Sequence, residues 1–448
     1  MIKVIIAYVK NNHFIIPGST FLFAVTLLHL LFPIRNDDAL FMPAVQSMSY
    51  INFITTRYKI WSSRVLSESV IWVLGQNWWF WVVSDILVLM LLYYYLIKMF
   101  ANKSDIKMHW ICMSLVLAYP FVHMSTSGYM ITTLFYLWPM TFGLIAGYGM
   151  KKSLLDQKIF IWERVIYTAA LLFAANVEQM NVFLLGLLTI LSGYSALAKK
   201  RLNFYLLSQL AIVSALSIFI LKTPGNAIRS FVETRWFPDY AMFGIIEKIQ
   251  FGYAFTLSVF IFNLNLVFII FCILLYITLH LQYKDKLYRI IAAIPLTVSI
   301  VFGASPGIFP NTAISRVSQF GLGASKLVNV FNFHEINYYV PLFFLGFITL
   351  CIPAALYLCF KNENLKAWFC IMLILLGFAT GMIMGFSPTV WASNTRTLLF
   401  TYFAFIVCAI LIYQKIRSLN FRWEPMLFAL ICFLGGASYL RYLALLLG

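Results

Sequence analysis

Long apolar runs, separated by short polar turns, repeat along the whole chain. Runs near the roughly 20 residues needed to cross a hydrocarbon core of ~30 Å cover 14–33, 86–100, 110–124, 251–280, 342–360 and 396–413. The pattern predicts an all-α fold, a polytopic bundle of roughly 11 to 13 transmembrane helices. Two closely spaced helices are expected around Asn176–Asn181, because merging them breaks the alternation of loops. No linker interrupts the pattern, so 1–448 reads as a single transmembrane domain. No internal repeat of the inverted kind found in many transporters is visible.

Charge gives this pattern a direction. With Lys3 and Lys10 inside, alternation places the turns 98–107, 151–164, 199–201, 284–289, 361–366 and 415–422 in the cytoplasm. All are short and basic, and together they hold well over half of the 32 Lys and Arg residues, as the positive-inside rule requires. Lys3 and Lys10 before an apolar run resemble a signal peptide, but no small-residue cleavage site follows, so 14–33 is read as a retained span. The opposite face receives the long loops 35–76, 222–248 and 305–337, rich in Trp, Tyr, Pro, Gly and Asn, as the expected active-site face.

Composition agrees. The chain of 448 residues is 62% hydrophobic and only 10% charged, where a soluble domain averages roughly 25% charged. A formal charge of +17 would suggest nucleic acid in a soluble protein; here basic topogenic loops account for it. The seven Cys contain no CxxC pair and lie mostly in apolar runs, so they read as packing residues. Aromatic content of 18% fits interfacial belts, with Trp78, Trp79 and Trp81 where a span meets the headgroups.

Arg35-Asn36-Asp37-Asp38 follows the first run. Paired carboxylates at a membrane surface suit general-base work or cation binding, because like charges in a cleft raise one pKa. The same residues suit a helix start, with Asp38 capping a short amphipathic helix from near Ala39 that carries Phe41, Val45 and Met48 on one face. Further along the loop, Arg57, Lys59 and Arg64 with Tyr58 and Trp61 form a cationic, aromatic cluster. It suits a phosphate, since Arg offers a planar fork of donors, and equally an interfacial helix anchored at headgroups. Arg64 and Glu68 stand at i,i+4 and are expected to pair.

Asn176-Val177-Glu178-Gln179-Met180-Asn181 is a polar knot between apolar runs. An ionisable residue at a span is costly and marks a functional candidate; helix–helix hydrogen bonding is the other reading. Pro224-Gly225-Asn226, with Arg229 beyond, breaks a helix and offers free N–H groups to a phosphate, or makes a plain turn with an interfacial Arg. Ser305-Pro306-Gly307 opens the loop holding Arg316 and Lys326, and Ser387-Pro388-Thr389 precedes Asn394 and Arg396. Arg396 lies against the topological charge bias, which points to an anionic partner. His123, His334 and Glu335 read as interfacial groups rather than metal ligands.

In this order and spacing the chain resembles the GT-C superfamily of membrane glycosyltransferases. More narrowly, it is similar to bacterial polytopic glycosyltransferases that modify O-antigen and other cell-surface glycans. Asn36-Asp37-Asp38, Trp61 to Arg64, Glu178, Pro224 to Arg229, and Ser387 to Arg396 carry the resemblance, which covers most of the chain. It departs from the larger GT-C enzymes in lacking a soluble C-terminal domain, so acceptor recognition falls to the loops and the membrane cavity.

The resemblance implies transfer of a sugar from a polyprenyl-phosphate donor to a glycan acceptor outside the cytoplasm of a bacterial inner membrane. Asp37, Asp38 and Glu178 form the implied catalytic set, with Asp37 or Asp38 as base. Arg57, Trp61, Arg64, Asn226, Arg229, Arg316 and Arg396 form the implied substrate-binding set. Partners are then the lipid-linked donor, the glycan acceptor and membrane lipids, not nucleic acid; no cofactor is implied, and a divalent metal stays open. Alternatives are a flippase for a lipid-linked glycan, which needs cations deep in many spans, and an O-antigen polymerase or ligase, which relies on Arg and His in one dominant loop. A purely structural or receptor role leaves Glu178 and the outward Arg residues unexplained.

Overall fold

The computed structural model describes residues 15–101, 104–310, 312, 314–315 and 336–447. Among them every regular element is helical. Among the described residues eight helices are long and apolar enough to cross a membrane, or nine if the bent pair is counted as one span, where the sequence predicts roughly 11 to 13. This is a polytopic helical bundle, and it divides into two compact units, Met1–Phe231 with Cys432–Gly448, and Val232–Ile431.

The first unit begins with α1 (Ile15–Leu31), followed by three short helices, α2 (Asp37–Ser47), α3 (Tyr50–Ile60) and α4 (Val65–Leu74). Then come α5 (Trp78–Phe100), α6 (Ile106–Leu117), α7 (Tyr129–Leu154), α8 (Ile161–Ala175), α9 (Glu178–Leu197), α10 (Phe204–Lys222) and α11 (Pro224–Val232). The expected helical hairpin is present, with its break at Asn176-Val177. Apolar faces alone do not specify partners between helices in lipid, so polar staples and small residues do. Asn181 Nδ2 donates to the Ala175 carbonyl at 3.0 Å and its Oδ1 accepts from Ser217 Oγ at 2.6 Å, tying α8, α9 and α10.

α1, α5 and α7 meet at a buried triad. His29 Nε2 lies 2.7 Å from Asp85 Oδ2, and Asp85 Oδ1 accepts from Trp138 Nε1 at 2.6 Å. Near the start of α7 the chain winds as a π-helix over Thr133–Leu137, an irregularity often found at functional sites. The 110–124 run is shorter as a helix than its hydropathy suggests. α6 stops at Leu117, and Pro120, which cannot donate a backbone hydrogen bond, leads into a 3-10 turn over Phe121–Ser127. Trp81, expected in an interfacial belt, is buried and donates to Thr133 Oγ1 at 3.0 Å, while Trp79 is exposed.

The second unit contains α12 (Ile245–Ile261), α13 (Leu266–Gln282), α14 (Lys286–Ile308), α15 (Ile336–Cys359), α16 (Asn364–Met382) and α17 (Leu399–Ser418), and α18 (Glu424–Leu447) starts in it. The 251–280 run is bent rather than straight: α12 and α13 meet at 72°. Asn263 and Asn265 make the bend. Asn263 Nδ2 donates to the Ser258 carbonyl at 3.0 Å, and Asn265 Oδ1 caps α13 by accepting the Phe268 N–H at 3.1 Å. α17 is the central helix, buried nearly all round, with Phe405 packed on Phe260, Phe268, Phe271 and Phe378. At Gly252 a Cβ would stand 2.0 Å from the Met382 carbonyl oxygen, so only glycine allows α12 to approach α16 this closely.

Candidate functional site

The first loop folds back on the start of α7. Asn36 adopts φ +48° and its Nδ2 donates to the Ser125 carbonyl at 3.1 Å. Asp38 is completely buried and does not cap its own helix. Its carboxylate accepts the N–H groups of Met130 at 3.3 Å and Ile131 at 3.0 Å, closing the N-terminus of α7. Gly128 makes room: its φ is +96°, and a Cβ there would sit 2.5 Å from the Asp38 carboxyl carbon. Burial outweighs these donors and pushes the Asp38 carboxyl up to about 7. Asp37, beside it, is half-buried.

Three polar motifs of the sequence converge within the same unit. Arg64 Nε donates to Glu178 Oε2 at 2.7 Å. Arg229 Nη2 reaches Glu178 Oε1 at 3.4 Å, and Ser63 Oγ reaches the same oxygen at 3.4 Å. Glu178 is the first residue of α9, where the helix dipole favours an anion. Asn176 seals the break before it: its Oδ1 accepts the Leu66 N–H at 2.9 Å, and its Nδ2 donates to the Ser63 carbonyl at 3.2 Å. Backbone groups freed at a helix end are thereby satisfied by protein, as a lipid environment demands.

The expected Arg64–Glu68 pair is not formed. Glu68 accepts from Arg57 instead, at 3.0 Å from Nε and 2.8 Å from Nη2. The Arg57 guanidinium also lies over Phe41 and Trp61, and Arg64 stacks on Phe135 at 4.6 Å. Three guanidiniums thus face two carboxylates, leaving one positive charge in excess. Arg229 holds the longest of these contacts and is a quarter exposed. Burial lowers its guanidinium from the ordinary value, yet Arg stays charged in proteins.

Asp38 and this cluster hang on one segment: Asp38 holds residues 130–131, and Arg64 stacks on Phe135, under about two helical turns away. Gly225 is pressed against the backbone of Tyr58, Trp61 and Ser62, so α11 starts against the first loop. Asn226 Nδ2 donates to the Ile220 carbonyl at 2.9 Å, while its buried Oδ1 accepts no hydrogen bond among the described residues. Arg396 lies in the 3-10 turn Thr395–Leu398 of the second unit. Arg316, Lys326, His334 and Glu335 lie outside the described residues.

A scan of protein-family models finds no match to the chain. Comparison with curated proteins and with solved structures finds none either. The site is therefore read from its own chemistry. Among the described residues no cluster of His, Cys, Asp and Glu has the arrangement of a metal site.

Sequence reasoning missed two parts of this region. Phe135 and the π-helical turn that presents it carry no local signal. The His29–Asp85 pair does, since a His and an Asp inside apolar runs are costly unless paired.

Proposed function

We propose that this protein is a membrane glycosyltransferase that moves a sugar from a polyprenyl-phosphate donor to a glycan acceptor on the non-cytoplasmic face of a bacterial inner membrane. The GT-C-like resemblance supplies the reaction class. The observation that carries the reading is the convergence of Arg64, Glu178 and Arg229, from three distant motifs, into one cationic cluster.

In this reading Arg229 and Arg64 hold the donor phosphate, with Glu178 keeping both guanidiniums in place until the anion arrives. Asp38 is enclosed by backbone N–H groups, so Asp37 has the access a base needs and Asp38 fixes its position. Asp37 takes the proton of the acceptor hydroxyl as that oxygen bonds to the anomeric carbon. The bond from the anomeric carbon to the phosphate oxygen breaks, and polyprenyl phosphate leaves with the electron pair. Guanidiniums aimed at that oxygen stabilise the growing charge. Direct attack inverts the anomeric centre. The cytoplasmic N-terminus belongs to the same reading, since it puts 35–76 and 222–248 outside.

The test is transfer by the purified protein from a panel of polyprenyl-phosphate sugars, with Asp37→Asn and Asp38→Asn variants. Transfer lost in Asp37→Asn is the expected result. Undiminished transfer in both variants removes the base, and donor translocation without transfer replaces the enzyme with a flippase.

A further inference from the structure

A second polar site lies at the opposite ends of α7, α8, α9 and α10. The turns 155–160 and 198–203 line an open surface depression of about 530 Å³. Its rim is held by side chains before any ligand arrives. Ser153 Oγ lies 2.9 Å from Asn203 Oδ1, and Asn203 Nδ2 donates to the Ser153 carbonyl at 3.3 Å. Arg201 donates to Asp156, and Lys199 to the Leu154 carbonyl. Asp156 and Lys200 both take positive φ, at 57° and 51°, to close the two turns.

The charges do not balance. Asp156, the one carboxylate lining the depression, is held by Arg201 and by Lys199 at 3.8 Å. Lys152 is matched by Glu163 at 2.7 Å. Lys158 and Arg164 also line the depression, are exposed, and have no carboxylate partner among the described residues. Around them Phe160, Ile161, Trp162, Leu202 and Phe204 are exposed. Cations unmatched by carboxylates, ringed by bare aromatic and aliphatic side chains, are the chemistry of a headgroup layer. A general topogenic charge needs basic residues but no depression with a prearranged rim.

We propose that this cradle binds the phosphate of an anionic phospholipid from the surrounding leaflet, with Lys158 and Arg164 supplying the charge. The site is separate from the Arg64–Glu178–Arg229 cluster and does not depend on the glycosyltransferase reading.

The experiment reconstitutes the full chain in nanodiscs of equal phosphatidylglycerol and phosphatidylcholine and measures retained lipid by native mass spectrometry. Wild type is expected to retain phosphatidylglycerol preferentially. Each cation near an anionic lipid contributes about 1 kcal/mol, so Lys158→Gln with Arg164→Gln is expected to lower the preference on the order of tenfold or more. Neither side chain holds another part of the fold through a carboxylate, and unchanged thermal unfolding checks this. Lys284→Gln with Lys286→Gln, in another basic turn, is expected to leave the preference intact. Equal loss in that pair reduces the effect to net charge and overturns the site. So does an undiminished preference in the Lys158/Arg164 variant. Saturable binding of inorganic phosphate alone, with no lipid preference, overturns the lipid as its source.

Discussion

Arg64 and Glu178, 114 residues apart, meet at 2.7 Å with less than a quarter of either side chain exposed. The contact fastens the first loop to the α8–α9 break. Removing one partner of an enclosed pair strands the other charge, at a cost of about 3–5 kcal/mol for full burial and less for partial exposure. Arg64→Ala and Glu178→Ala are each expected to lower the unfolding midpoint in detergent. Because both remove the same contact, the double variant should lose less than the summed singles, with a coupling of about 1 kcal/mol or more. Strict additivity would mean that the pair contributes nothing.

Arg229 is expected to separate activity from stability. Its contact with Glu178 is long and its side chain is a quarter exposed, so truncation strands no tightly held charge. Arg229→Gln should reduce transfer on the order of 100-fold, as removal of a preorganised charge stabiliser does, with little change in unfolding. Arg229→Lys keeps the charge but not the fork of donors, and should recover only part of the rate. Full activity in Arg229→Gln would take the phosphate away from this cluster.

The bundle was legible because apolar runs of membrane length leave few alternatives. Side-chain partnerships were not. Arg64 and Glu68 stand at i,i+4, a spacing that pairs residues on a helix, but Arg64 is the residue before α4 and has φ −80° and ψ 47°. Its side chain is thus off the helical ladder, and Glu68 is left to Arg57 from the preceding helix. Asp38 shows the same limit. The sequence offers it as a cap, and it does close a helix N-terminus, but that of a helix 92 residues away. The bend at Asn263–Asn265 did carry a local signal, two amides inside an apolar run, which hydropathy averages hide.

Asp38 gives the fold a pH dependence. An acid whose folded pKa lies above its unfolded value binds more protons folded than unfolded, so stability falls as pH rises between the two values. For Asp38 the window runs from 3.8 to about 7. Asp38→Asn removes that titration, so the difference in unfolding midpoint between wild type and variant should shift against wild type as pH climbs from 4 to 7.5. A difference that is flat with pH would show that Asp38 titrates normally.

Gly128 tests the same corner through the backbone. Its φ of +96° suits glycine, and a Cβ would collide with the Asp38 carboxyl. Backbone strain alone costs about 1–3 kcal/mol, and the collision displaces the cap of α7. Gly128→Ala should therefore destabilise the protein and also slow transfer, since Asp37 moves with Asp38. Wild-type stability in Gly128→Ala would mean that the loop does not sit against α7 in this way.

The His29–Asp85 pair makes the sharpest case, because both ring nitrogens of His29 face acceptors. Nδ1 lies 2.7 Å from the Val25 carbonyl and Nε2 lies 2.7 Å from Asp85. His29→Leu strands the Asp85 carboxylate with only the Trp138 N–H, a loss of about 3–5 kcal/mol for a buried pair broken on one side. Replacing both, His29→Leu with Asp85→Leu, removes the charge problem and should recover much of that loss, because apolar packing often matches a buried ion pair. The check is unfolding of the single and double variants in the same detergent. A double variant less stable than His29→Leu would assign the pair a role in specifying the fold that apolar packing cannot replace.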